Sequence, residues 1–191
     1  MIIVINICIV LIKHKIAANN LKNETHHPFT KLLHWSMAVI IIYASVAGYS
    51  MHLLNTDSSL YLFLSILNMS LATVTTPLLI IRYLWVFFRT VPDMPSNIPT
   101  RQLSIAKAVH SFLYFLMFVV FLSGYLMLTH SYSLFWIVEV NNLINDTEVN
   151  QLFFKIHRIA CVALSFTVTM HILAVIKHQL IAKNNVLKLM A

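Results

Sequence analysis

The chain has 191 residues, 59% of them hydrophobic and only 10% charged, with a mean hydropathy of +0.80, a composition of the integral membrane class. With 2 glycines and 5 prolines it is neither loop-rich nor of low complexity. Its formal charge of +7 is not a nucleic-acid signature, because the cations sit beside apolar runs and form no basic patch interleaved with aromatics.

In chain order, residues 1–12 are apolar, but a span needs about 20 residues. Lys13, His14 and Lys15 follow that run, whereas a secretory leader carries its basic residues in front. Residues 1–28 are therefore read as an N-terminal extension, either on the membrane surface or disordered. The first span is expected over residues 31–51, opening with His34 and Trp35 and carrying Gly48 near its far end. Residues 55–59 make a polar turn. The second span covers residues 60–88, with Pro77 inside it and Arg82 and Arg89 closing it. A lone proline is tolerated in a membrane helix. Pro92, Pro95 and Pro99 punctuate a polar connector.

The third span covers residues 104–129, with His110 near its start and Gly124 near its end. Residues 130–150 form the longest loop. The fourth span covers residues 151–181, and residues 183–191 are a short basic tail. Cys8 and Cys161 both lie in apolar runs and read as small hydrophobes. The expected fold is all-α, an integral membrane four-helix bundle.

The fourth span organises the rest. It carries His157 and His171, 14 residues apart. On a helix these share nearly one face and stand about 21 Å apart along the axis. Two stacked haems would need that arrangement, and haem iron is commonly held by axial histidine. The plainer alternative is two polar residues that find hydrogen bonds inside the bundle. Ionisable residues inside a membrane mark functional sites by default. His178 lies seven residues beyond His171, about 10 Å deeper on almost the same face. The two glycines repeat the spacing: Gly48 follows His34 by 14 residues and Gly124 follows His110 by 14. A missing side chain lets a planar ring approach a helix, although small residues also serve close helix packing.

Cations assign the sides. Eleven lysines and arginines fall on one side of the four spans, and only Lys155 and Arg158 on the other. Both termini are thus expected to be cytoplasmic, with Trp35 and Trp85 at the inner interface and Trp136 at the outer one. His34, His110 and His171 then lie toward the inner side, and His157 toward the outer.

Several features together resemble the prokaryotic cytochrome b561 family. They are Lys31-Leu32-Leu33-His34-Trp35 opening the first span, Arg82 late in the second, and His110 with Gly124 in the third. His157, His171 and His178 at their spacings continue the pattern, and Lys183-Asn184-Asn185 precede a Leu-Met-rich end. The resemblance covers residues 29–190, which with the final residue are taken as one four-helix transmembrane domain.

That resemblance implies a bacterial inner-membrane protein in which histidine pairs hold b-type haems. The inner haem would be held by His34 and His171. The outer haem would take His157 from the fourth helix and a histidine from the second. The matching position on the second helix is Asn68, and a carboxamide is a poor donor to haem iron. One haem b is expected, with the outer site lost or altered. Arg82 suits the anionic haem propionates, or else lipid head groups. Gly48 and Gly124 suit an outer ring pocket. The implied function is single-electron transfer to or from the quinone pool.

Superoxide as donor would favour a basic outer face. The outer loops instead carry Asp57, Glu139, Asp146 and Glu148 against Lys155 and Arg158. Two other readings are an anchor subunit serving a partner dehydrogenase or hydrogenase, and a structural homologue that has lost its cofactors. The expected partners are the bilayer, a quinone and a redox partner protein.

Overall fold

A computed structural model describes residues 26–89 and 99–181. Most of the N-terminal extension, including Cys8, lies outside the described residues, as do Pro92, Pro95 and the basic tail. Four helices run α1 (Pro28–Met51), α2 (Ser59–Trp85), α3 (Thr100–Leu126) and α4 (Thr147–Ile176). The last continues into a π-helical turn, Lys177–Ile181. Among the described residues, these are four helices long and apolar enough to cross a membrane. The shortest has 24 residues, about 36 Å, which exceeds a hydrocarbon core of about 30 Å.

Local chemistry sets the helix starts. Pro28 occupies the first turn of α1, where its missing N–H costs nothing, and the His27 ring accepts from the Phe29 N–H. Ser58 caps α2 by accepting from the Tyr61 N–H. Asp146 caps α4 by accepting from the N–H groups of Glu148 and Val149. That cap starts α4 four residues before the expected residue 151. α2 runs unbroken through Pro77. Hydroxyls along the helices turn back on their own turns, as Ser45 does to Ile41, Thr75 to Leu71 and Thr167 to Ala163. This satisfies side-chain groups that lipid could not.

α1 packs closely on α2, and α3 on α4; a lighter contact between α2 and α3 joins the two pairs. The core is Met37 and Ile41 from α1, Leu79 from α2, Leu116, Met117 and Val120 from α3, and Ala160 and Leu164 from α4. Much of the remaining apolar surface faces outward, as Ile159 and Phe166 do, which suits a lipid solvent. Asn150 is buried and donates to the carbonyls of Leu126 and Leu128, tying the start of α4 to the end of α3.

The loop expected over residues 130–150 contains a β-hairpin, β1 (Tyr132–Leu134) pairing antiparallel with β2 (Val138–Val140). Its turn puts Phe135 and Trp136 at φ of 46° and 61°, and the Ile137 N–H bonds to Leu134 O at 3.0 Å. Bulky residues occupy a turn that normally takes Asn-Gly. The hairpin is pinned to α2: the Phe135 N–H donates to Ser70 Oγ at 2.8 Å, the Tyr132 hydroxyl bonds Thr73 Oγ1, and Trp136 stacks on Phe63.

Candidate functional site

At one end of the bundle, every helix contributes to one cluster. α1 supplies His34, α2 Arg82, α3 His110 and Tyr114, and α4 His171. Arg82 donates from Nη2 to Nδ1 of His34 at 2.8 Å and from Nε to the Tyr114 hydroxyl at 2.9 Å. Its guanidinium also sits 5.7 Å from the centre of the Tyr114 ring. His110 and His171 meet edge to face, with ring centres 5.2 Å apart. His34 lies within electrostatic range of both His110 and His171. Helical spacing explains the convergence. Tyr114 is one turn after His110 and shares its face, and Leu79 of the core is one turn from Arg82.

The second level is built around His157. Its Nδ1 lies 3.0 Å from Val120 O and 3.3 Å from Ser123 Oγ. A carbonyl only accepts, so Nδ1 carries the ring proton. Nε2 is then the lone-pair nitrogen, and the Cys161 thiol, 3.4 Å away, donates to it. Gly124 makes the close approach possible: a Cβ there would lie 3.0 Å from Cε1 of His157 and 3.2 Å from Nδ1. Gly48 differs, because a Cβ there would meet nothing within 4 Å. The two glycines of matched spacing thus have unlike surroundings. On α2, the amide oxygen of Asn68 is buried without a hydrogen-bond partner.

Between the two levels lies the apolar core. Met37 and Ile41 follow His34 by one and two turns, and Leu164 precedes His171 by two. The buried residues between the levels are mostly apolar, and the one buried hydroxyl of α2 at that depth, on Thr75, turns back to Leu71 O.

Imidazole nitrogens are the usual haem ligands, and the His34 level offers them from α1, α3 and α4. α1 and α4 do not pack closely on one another as α1 and α2 do. By residue type these side chains fit a haem, with His34 free to ligate through Nε2 once it gives up the Arg82 bond on Nδ1. At the His157 level the imidazole has the tautomer of a metal ligand, oriented by a backbone carbonyl. Opposing that fit, Asn68 offers no comparable donor. Among the described residues, no group of three or more His, Cys, Asp or Glu side chains could hold a bare metal ion.

Tyr114, Ser123 and the Val120 carbonyl are absent from the sequence-level reading. Tyr114 had a signal, its one-turn spacing from His110. The carbonyl of Val120 had none. Cys161, read as a small hydrophobe, has a polar role on His157 as well.

The model of the prokaryotic cytochrome b561 family matches residues 25–191. No curated protein matches the chain. The family match takes in all four membrane helices and both histidine levels, so the chain belongs to the prokaryotic cytochrome b561 family, the membrane b-type haem proteins of electron transfer.

Proposed function

We propose that the chain moves single electrons to or from a quinone through one bis-histidine haem b, held by His34 and His171 at the cytoplasmic side of the bacterial inner membrane. The working unit is residues 29–191, with both termini cytoplasmic. The observation that carries this reading is the convergence of His34, Arg82, His110 and His171 from four helices at one level. Haem supplies a one-electron couple when bound. Two imidazole ligands leave iron no open position, which favours electron transfer over oxygen binding. Arg82 brings a fixed positive charge to the level, suited to propionate carboxylates. Tyr114 holds that guanidinium from behind. The apolar core closes the cluster against the other half of the bundle.

At the His157 level we infer a site with at most one strong ligand. Asn68 and its unpartnered amide oxygen support this, because a buried acceptor without a donor is costly and is not a haem ligand. His157, Gly124 and Gly48 would line what remains of that pocket.

Replacing His34 or His171 with alanine tests the inner assignment. Each single variant is expected to lose the low-spin bis-histidine spectrum and still insert in the membrane. A full bis-histidine spectrum in both variants contradicts the assignment.

A further inference from the structure

Arg82 stands three residues before Trp85, the last residue of α2, an axial distance of about 4.5 Å. Trp85 donates its indole N–H to Thr30 at the start of α1, and tryptophan is a residue of the head-group belt. An arginine so near a helix end has an easy alternative to the bundle interior. Its apolar stem can lie along the helix while the guanidinium reaches water and lipid head groups, where its charge costs least. Arg82 does not take that course. It is half-buried, and its guanidinium turns to the histidine level.

The hold comes from α3. The Tyr114 hydroxyl accepts the Nε–H of Arg82 at 2.9 Å, and Cζ of Arg82 lies 5.7 Å from the centre of the same ring. A hydrogen bond from an ionised donor is roughly twice as strong as a neutral one. The Tyr114 ring is itself braced: Tyr83 meets it edge to face with centres 5.9 Å apart, and Phe87 meets Tyr83 in the same way at 5.8 Å. With Nε anchored there, Nη2 points at Nδ1 of His34, 2.8 Å away. The His34 contact cannot do this work alone. An imidazole that ligates iron through Nε2 carries its proton on Nδ1, and then has nothing for Arg82 to donate to. The Tyr114 hydroxyl is the acceptor that does not depend on the state of His34.

We propose that Tyr114 is a positioning residue for electron transfer, whose hydroxyl keeps the Arg82 charge at the histidine level instead of at the lipid head groups. This rests on the reading of His34 and His171 as haem ligands. A fixed positive charge beside a haem favours the reduced iron, which carries one positive charge fewer. The tether therefore holds the midpoint potential up. A guanidinium at the head groups is more distant and is screened by salt.

The test is a redox titration of the full-length haem-loaded protein in detergent, on wild type, Tyr114→Phe, Arg82→Gln and the double variant. Arg82→Gln should lower the midpoint potential. Tyr114→Phe should lower it by a smaller step, and the double variant should lie no lower than Arg82→Gln, because the hydroxyl acts only through the guanidinium. Tyr61→Phe, at the opposite end of α2, should leave it unchanged. Tyr114→Leu serves if Tyr114→Phe does not fold. A second readout needs no haem: nitrogen NMR should show the Arg82 Nε–H exchanging slowly with water in wild type and rapidly in Tyr114→Phe. An unmoved potential in Tyr114→Phe, shifts that add in the double variant, or an Arg82 Nε–H that exchanges equally fast in wild type and Tyr114→Phe overturns the proposal. A wild type without a low-spin haem contradicts the ligand reading instead, and the exchange measurement then decides the tether by itself.

Discussion

Arg82 donates a hydrogen bond to Nδ1 of His34 at 2.8 Å. Arginine has no acceptor, so Nδ1 holds a lone pair and the ring proton of a neutral His34 is on Nε2. His157 has the opposite arrangement, with Nδ1 donating to Val120 O. A histidine that gives Nε2 to a metal carries its proton on Nδ1. His157 already has that form, and His34 acquires it only by giving up its bond to Arg82.

The first prediction follows. In haem-free protein, nitrogen NMR should show His34 Nδ1 unprotonated and His157 Nδ1 protonated. Arg82→Met should release His34 from its single tautomer. A protonated Nδ1 on His34 in the haem-free wild type contradicts the bond that Arg82 is seen to make.

Gly124 and Gly48 give a second prediction, because their surroundings differ. A methyl at 124 meets the His157 ring at 3.0 Å; a methyl at 48 meets nothing. Alanine in a helix gains about 1 kcal/mol over glycine. At 124, overpacking costs about 1–3 kcal/mol against that gain. Gly48→Ala should therefore be neutral or stabilising. Gly124→Ala should be less stable than Gly48→Ala by about 1–3 kcal/mol, read from unfolding in detergent. Equal effects of the two variants would show that His157 does not rest on Gly124.

The four spans and the faces of their histidines were legible in the sequence, because apolar length and a 14-residue spacing are properties of the helix itself. Helical spacing puts His34, Arg82 and His171 at one depth, and Arg82 and His34 touch. The hairpin was not legible. Phe135 and Trp136 carry none of the glycine or asparagine that marks such a turn, and its hold on α2 comes from Ser70 and Thr73, which are unremarkable in a list of apolar residues. The difference between Gly48 and Gly124 was also hidden. Spacing fixes a residue's depth and face on its own helix, whereas the neighbour across the gap is set by how helices pair.

Membrane topology is the third prediction. Reporters fused at either terminus should read cytoplasmic, and a reporter inserted within residues 141–146, beyond the hairpin, should read external. The excess of lysine and arginine on one side motivates this orientation. An external C-terminus refutes it.

The central claim is a single bis-histidine haem, at the level of His34 and His171, with Asn68 denying the other level its second imidazole. If the His157 level retains a haem, its iron should be weakly six-coordinate or five-coordinate and open to added ligands. Asn68→His should supply the missing donor, because imidazole binds haem iron and a neutral carboxamide does not compete. The most direct measurement is haem per mole of protein by pyridine haemochrome, with electron paramagnetic resonance, on wild type and Asn68→His. The expected result is one low-spin bis-histidine centre in wild type, and a second that appears in Asn68→His as haem content rises toward two. Two low-spin bis-histidine centres in the wild type would contradict the account.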